Sequence, residues 1–478
     1  MIRMKLGAQS DNVVDFRNIR KRSLPYFVIW IVYYAWVIAF ATWWTASPQN
    51  GDVFNEQFRS LMHAVNLISS AVFVFIIRKE WFVKLARVAA LLVVAGVAAF
   101  FLVENHTLRL ILAVASSVAI GCINICILMP FVFTLNNTEK LYAVVGSNLI
   151  IQLVSLLLAP RAQERVELAF SLAMLAVSVG ATWFFRQKDL SDETEGGKLA
   201  LPKLPKRIYL TIFFNCAFAI LCKGAGKGIL NISEHIAGIP LMTWNFLGGL
   251  IGCALFPAVY LYSKKAYLWH GNMTFAFVAM GLFCNAFAGY SAGFAIAFAV
   301  LLGIGNAMGM INMYYIIGVV GKKYDSMKYI RLSIALIGVC GGVSGVLLGN
   351  IISESNTFGI SIVASVVSAA VMILLLISSP FLAQSHYESD WAKDSQRAEV
   401  DNEQLYLFSK YNLSKREIEV CKLLLQGFTM RQISGMLALA YPTVNTYCTS
   451  IYRKVGINSR AELMQVFRDY QTGPIAQS

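Results

Sequence analysis

The side chains able to do chemistry collect in two places. Residues 413–470 carry Lys415, Arg416, Lys422, Arg431, Arg453, Lys454, Arg460 and Arg468 against only Glu417, Glu419, Glu462 and Asp469, interleaved with Ser, Thr and Asn. Cations beside hydroxyls and amides suit anionic phosphates and the polar edges of bases, so this stretch reads as a binding surface. Elsewhere, in the interiors of the long apolar runs, the titratable groups are Lys223, Lys227, His63 and His270, and no Asp or Glu falls in a span interior. Paired carboxylates, a nucleophile beside a base, and metal-ligand spacings are all missing. The nine Cys form no C-x-x-C pair and mostly lie in apolar runs, where they read as small buried residues. No catalysis, cofactor or metal is expected.

The segment Lys223-Gly-Ala-Gly-Lys227-Gly is glycine-rich but lacks the spacing of a phosphate loop. Two readings stay open for its lysines: an anion site facing a cavity, or snorkelling toward the outer headgroups. An acid buried in the bilayer usually serves proton-coupled transport as a relay, so its absence weighs against that activity.

The elements that must position these groups follow from composition. Of 478 residues, 57% are apolar and only 14% charged, and the mean hydropathy is +0.61. An ordinary soluble enzyme is excluded, and spans must be counted. Apolar runs lie at 25–45, 57–77, 82–103, 107–132, 140–160, 166–186, 207–230, 240–262, 266–287, 290–320, 328–352 and 357–380, twelve in all. The first is too long for a signal peptide and is followed by more spans. Loops on the N-terminal side hold Arg17, Arg20, Lys21 and Arg22, then Arg78, Lys79, Lys84 and Arg87, then Lys140, Arg186, Lys188, Lys264, Lys265, Lys322, Lys323, Lys328 and Arg331, among others. The opposite loops hold only Arg59, Arg109, Arg161 and Arg165. The positive-inside rule therefore places both termini in the cytoplasm. Much of the net charge of +14 reports this topology.

Past Pro380 the composition changes. Residues 381–412 form a polar linker with Lys393, Arg397 and Lys410 against Glu388, Asp390, Asp394, Glu399, Asp401 and Glu403. Three capping-box signatures follow, Ser414 with Glu417, Thr429 with Gln432, and Ser459 with Glu462, each opening an amphipathic run. Gly427 and Gly456 stand where helices end, and Pro442 suits the first turn of a helix running to Val455. Short helices joined by a tight turn, with basic residues behind the second, fit a DNA-reading module.

The residues Leu413-Ser-Lys-Arg-Glu417-Ile-Glu-Val420, Leu424-Leu-Gln-Gly427, Ile433, Leu437, Thr443-Val444, Ile451-Tyr-Arg-Lys-Val-Gly-Ile457 and Ser459-Arg-Ala-Glu462 resemble the LuxR-type helix-turn-helix domain nearly end to end. The resemblance implies four helices, the third in the major groove and the fourth, 460–469, pairing two copies on a two-fold site of double-stranded DNA. Thr443, Asn445, Thr446 and Thr449 are expected to contact bases or the groove, and Arg431, Arg453 and Lys454 phosphates, while a Thr443 that only caps and an Arg453 that is a solvated charge stay open as the other reading. This chain departs from the family at Ala440, Asn445 and Tyr447, where Ser, Lys and His are usual. A shifted target sequence follows, with an amide at Asn445 that suits adenine. Val444, Ile451 and Leu437 read as core.

The polar stretch between Arg186 and Arg207 divides the spans six plus six, and Arg78-Lys79-Glu80-Trp81 and Ser263-Lys264-Lys265-Ala266 occupy matching turns. By topology this resembles the major facilitator architecture, although the loop signature of that family is absent at both turns. The resemblance implies a cavity lined by spans one, four, seven and ten, which offer Tyr33, Tyr34, Trp36, Asn124, Asn215, Lys223, Asn306 and Asn312. For each of these aromatics, lipid-facing packing stays open as the other reading. Gly248-x-x-x-Gly252, Gly305-x-x-x-Gly309 and Gly345-x-x-x-Gly349 read as close helix contacts.

The expected protein is all-α: a basic segment 1–24, a twelve-span sensor unit 25–380, a linker 381–412, a helix-turn-helix domain 413–470 and a tail 471–478. Its expected function is membrane-bound, one-component transcription regulation by a small, flat effector. The linker reaches about 48 Å as a helix, enough for two tethered domains to meet half-sites roughly 34 Å apart. A transporter with a regulatory tail is the rival, and docking of the last domain on a protein partner is a third reading.

Overall fold

The computed structural model describes residues 19, 23–37, 56–77, 81–158, 226–262, 269–288, 290–323, 327–339, 411–425, 427–437 and 439–467, with scattered positions at 169–186 and 366–373. The chain divides into two compact units, Met1–Gly196 with Ala200–Tyr387, and Glu388–Ser478 with Gly197–Leu199. Every regular element among the described residues is a helix.

The first unit holds α1 (Leu24–Ala35), α2 (Glu56–Ile76), α3 (Phe82–Leu102), α4 (His106–Phe133), α5 (Asn137–Leu158), α6 (Lys227–Ala237), α7 (Leu241–Tyr262), α8 (Trp269–Ala286), α9 (Ala292–Lys323) and α10 (Met327–Leu336). Five of the described helices are long and apolar enough to cross a membrane. A chain buried in hydrocarbon must satisfy its backbone internally, which long unbroken helices do. The 32-residue α9 runs unbroken from Ala292 to the end of the predicted 290–320 run and on to Lys323, about 48 Å at the standard rise. Its ends are set locally, as are those of its neighbours. Asn105 caps α4 by accepting from Leu108 N at 3.1 Å. Asn136 and Glu139 form a reciprocal box at α5, with Glu139 N donating to Asn136 Oδ1 at 2.7 Å and Asn136 N to Glu139 Oε2 at 2.8 Å.

Helices from both ends of this unit pack together: α2 against α10, α5 against α7 and α9, and α4 against α9. The tightest seam joins α7 to α9. A Cβ placed on Gly303 would lie 2.0 Å from the Asn245 carbonyl oxygen, and one on Gly248 would lie 2.1 Å from that of Val300. Gly252 faces the Ile304 backbone, as the predicted Gly248/Gly252 seam requires, whereas Gly305 faces Thr274 and Val278 of α8.

Two lysines read from sequence as loop charges instead bridge helices. Lys140 is fully buried, with Nζ donating to the Gly318 carbonyl at 2.8 Å. Lys322 returns a bond from α9 to the Leu135 carbonyl at 3.2 Å. Gly318 is what admits Lys140, since a Cβ there would press on Phe131 and on the lysine stem. The Ser23 hydroxyl donates to Glu139, so this polar cluster also holds the start of α1.

The predicted seventh span, 207–230, lies mostly outside the described residues. Its described end differs from expectation: α6 runs on to Ala237 and stops at Gly238, where φ is +62°. Glu234 in its last turn accepts from Met242 N at 2.6 Å and so caps α7. Span twelve and the Gly345/Gly349 pair fall largely or wholly outside the described residues, as does Lys223, and span six is described at scattered positions.

The second unit holds α11 (Lys415–Leu425), α12 (Met430–Leu437), α13 (Tyr441–Val455) and α14 (Arg460–Val466). All three predicted caps form: Ser414 N donates to Glu417 at 2.6 Å, Thr429 N to Gln432 at 2.9 Å, and Glu462 N to the Ser459 hydroxyl at 3.2 Å, with Glu462 at the third accepting from Asn458 N at 3.1 Å. Gly427 and Gly456 close α11 and α13 at φ +98° and +78°, a region that suits glycine. Val420, Cys421, Leu424, Ile433, Val444, Cys448, Ile451, Leu463 and Phe467 form one core, and Leu437 packs against it.

Candidate functional site

The C-terminal unit presents α13 through its patterning. Val444, Cys448 and Ile451 are buried, so the opposite face of the same helix must look outward. Asn445, Thr446 and Thr449 lie on that face and are exposed, as are Thr443, Arg453 and, on α12, Arg431. Thr446 and Thr449 donate their hydroxyls back to the carbonyls of Pro442 and Asn445, each at 3.0 Å. With the proton so used, each threonine offers lone pairs and a methyl, which suit an amino group or a thymine methyl. Ala440 precedes the helix in extended conformation and caps it with no side-chain bond. A tight turn leads in from α12, held by Leu439 N to the Ser434 carbonyl at 3.0 Å and the Ser434 hydroxyl to the Leu439 carbonyl at 2.6 Å.

Glu417 ties this helix to the rest of the domain. It is 4% exposed and accepts from Ser450 at 2.6 Å and from Lys454 at 2.7 Å, both on α13, as well as capping α11. Burial pushes this carboxyl up, but the bonds from Lys454, Ser450 and Ser414 outweigh that and hold its pKa at about 2. The expected role of Lys454 changes accordingly. Its ammonium also donates to the Asn412 carbonyl at 3.0 Å, so two of its three N–H groups serve the fold before any phosphate. Sequence could not show this, because Glu417 lies far upstream. Arg460 likewise binds the Leu424 carbonyl at 2.9 Å.

The membrane unit holds a cavity lined by Trp30, Tyr33 and Tyr34 of α1 and Val37 just beyond it, His63, Asn66, Leu67 and Ser70 of α2, Asn124, Ile125, Ile127 and Leu128 of α4, Tyr314 of α9, and Ile334, Ile337 and Gly338 at α10 and just beyond. Its polar wall is one chain of bonds. Tyr33 donates to Asn124 Oδ1 at 2.6 Å, and Asn124 Nδ2 donates to Asn66 Oδ1 at 2.7 Å and to the Ser70 hydroxyl at 2.8 Å. Ser70 in turn donates to the Asn66 carbonyl at 2.9 Å. This order orients both amides and turns Asn66 Nδ2 away from the chain. That nitrogen and Trp30 Nε1 are buried with no hydrogen-bond partner among the described residues, at a cost of about 1–3 kcal/mol each.

Of the predicted ligand residues, the cavity gathers Tyr33, Tyr34 and Asn124. Trp36 is buried but does not line it, because Trp30, Tyr33, Tyr34 and Val37 share the i, i+3, i+4, i+7 spacing that Trp36 breaks. Asn306 and Asn312 lie on α9 but outside the lining, and Asn215 and Lys223 lie outside the described residues. Sequence reasoning missed Trp30, Asn66, Ser70 and Tyr314 as lining residues. His63, Asn66 and Ser70 make a polar stripe at helical spacing inside an apolar run, a signal that was present.

A four-helix domain with this turn and this exposed third helix is of the helix-turn-helix class. Residues 411–467 match the family described as bacterial regulatory proteins, luxR family. Over 60 residues the chain is 35% identical to "Probable transcriptional regulator ycf29" of Guillardia theta, covering 13% of this chain and 29% of that protein. The chain thus spans under a third of the length of the curated relative it matches. The apolar unit shares its fold with solved membrane transporters. It is similar to a bacterial homologue of the iron transporter ferroportin in its outward-facing state, with 13% identity, coverage of 76% of this chain and 100% of the other, and a TM-score of 0.54. It is also similar to the E. coli fucose:proton symporter, with 16% identity, coverage of 75% and 99%, and a TM-score of 0.50. At these identities the likeness is one of fold. The chain therefore joins a LuxR-type DNA-binding domain to a transporter-fold membrane unit.

Proposed function

We propose that this chain is a one-component transcription regulator embedded in the bacterial inner membrane, with both termini in the cytoplasm. A small molecule binds in the cavity walled by α1, α2, α4, α9 and α10, and its binding changes how two C-terminal domains, paired through α14, engage double-stranded DNA. The observation that carries this reading is the union in one chain of an exposed, polar α13 on a LuxR-type domain with a transporter fold enclosing a hydrogen-bonded cavity. Thr443, Asn445, Thr446 and Thr449 meet base edges, and Arg431 and Arg453 meet phosphates. The unit's Lys/Arg distribution supports the orientation. An effector acts only through differential affinity for two states of the sensor, and a tenfold change in DNA affinity requires about 1.4 kcal/mol of it. No reaction chemistry is assigned to any residue.

The test is specific DNA binding by the full chain in lipid nanodiscs, against a variant with Thr443 and Asn445 both changed to Ala. Specific binding lost in the variant supports the reading, and equal binding by both overturns the assignment of α13.

A second reading, transport with a regulatory tail, is favoured by the shared fold with transporters. It requires flux in vesicles that survives deletion of 413–470. The regulator reading requires that deletion to abolish transcriptional response.

A further inference from the structure

Taking the cavity as the effector site proposed above, we infer that its ligand is an uncharged, flat molecule carrying at least two hydrogen-bond acceptors, recognised by Trp30 Nε1–H and Asn66 Nδ2–H. Among the described residues that line the cavity there is no Asp, Glu, Lys or Arg, and His63 is the one imidazole. A ligand with a fixed charge would lose its hydration there without a counter-charge, which the interior resists. Of the polar groups that line it, Tyr33 is committed to Asn124, and Asn124 to Asn66 Oδ1 and the Ser70 hydroxyl. Asn66 Nδ2, Trp30 Nε1 and the Tyr34 hydroxyl find no partner among the described residues, which leaves donors in excess of acceptors. Buried donors of this kind are rare in folded proteins and mark a place where an acceptor belongs.

Shape points the same way. The Trp30 ring stacks on Phe131 at 3.8 Å and on Tyr34 at 5.1 Å, and Tyr314 meets Tyr34 edge-on at 4.7 Å. These contacts fix the aromatic walls, so the indole N–H is held in place rather than free to turn. Rigid aromatic walls favour a flat ligand, and fixed donors favour acceptors at fixed separation, as carbonyl oxygens or ring nitrogens provide.

The test uses the full chain in nanodiscs and equilibrium dialysis with named probes. Coumarin, quinazoline and flavone are flat, neutral and carry two acceptors; naphthalene is flat without acceptors; 2-naphthoate is flat and charged. At least one of the first three should bind, with naphthalene and 2-naphthoate at least tenfold weaker. Asn66→Leu and Trp30→Phe should each weaken that probe about tenfold and leave naphthalene unchanged, which separates loss of a donor from loss of fold. Trp30→Phe keeps a ring against Phe131 and serves if Asn66→Leu does not fold. Binding of none of the three at millimolar concentration overturns the inference, as do equal binding of naphthalene or 2-naphthoate and equal weakening of every probe. Binding that obeys the pattern but leaves DNA affinity unchanged keeps the ligand class and fails the sensing reading.

Discussion

Glu417 is the joint on which the DNA-binding domain turns, and Glu417→Gln tests that directly. The substitution keeps size and one acceptor oxygen but removes the charge that faces Lys454 at 2.7 Å. A carboxyl held at about 2 rather than its ordinary 4.5 corresponds to roughly 3 kcal/mol of stabilisation at neutral pH, at about 1.4 kcal/mol per unit. Because Lys454 is partly exposed and can rehydrate, and because the amide still accepts from Ser414, the expected loss is about 2 kcal/mol. In a domain this small that lowers Tm by roughly 10 °C. The sign follows from a depressed carboxylate: the stabilisation is present above about pH 4.5 and is lost as pH falls toward 2. Hydrogen exchange on peptides from α11 and α13, in the full chain in nanodiscs, reads both effects. Protection in the wild type should decline across that pH window, and in Glu417→Gln it should start lower and decline less. Equal protection at pH 7, or the same acid decline in both proteins, would refute the joint.

Other perturbations have equally definite outcomes. Ala440→Ser supplies the missing side-chain cap of α13 and should raise stability of the domain by about 0.5–1 kcal/mol in the same exchange measurement. Gly456→Ala, at φ +78°, should cost about 1 kcal/mol, seen as faster exchange at the end of α13. Arg431→Ala should weaken DNA binding uniformly across sequences and reduce the salt slope by about one, whereas Asn445→Ala should cost about 1–3 kcal/mol on the preferred site and relax specificity there, both read in salt-titrated binding assays. Gly303→Val forces α7 from α9 at the Asn245 carbonyl and should destabilise the membrane unit by at least about 2 kcal/mol in thermal denaturation in detergent.

Much of the C-terminal domain was legible because its determinants are local. The three capping boxes, Pro442, Gly427 and Gly456 each act within a few residues of their own position, and the observed helices begin and end at them. The long apolar runs were legible for the same reason. Long-range partners were not. Nothing near Lys140 in sequence shows that it reaches the Gly318 carbonyl, and nothing near Lys454 shows that Glu417 holds it. The cavity was half legible: Tyr33, Tyr34 and Asn124 were expected in it, while α2 entered the lining because α2 packs on α4 and α10, a fact of tertiary contact. Trp36 fails as a lining residue by helical spacing alone, which the sequence did contain.

The central claim is that a protein anchored in the membrane reads DNA through α13. Chromosome-wide occupancy of the intact chain, beside the variant with Thr443 and Asn445 changed to Ala, tests it most directly. The account predicts discrete sites occupied by the intact chain and lost in the variant. Occupancy that is absent across growth conditions, or that persists unchanged in the variant, would contradict it.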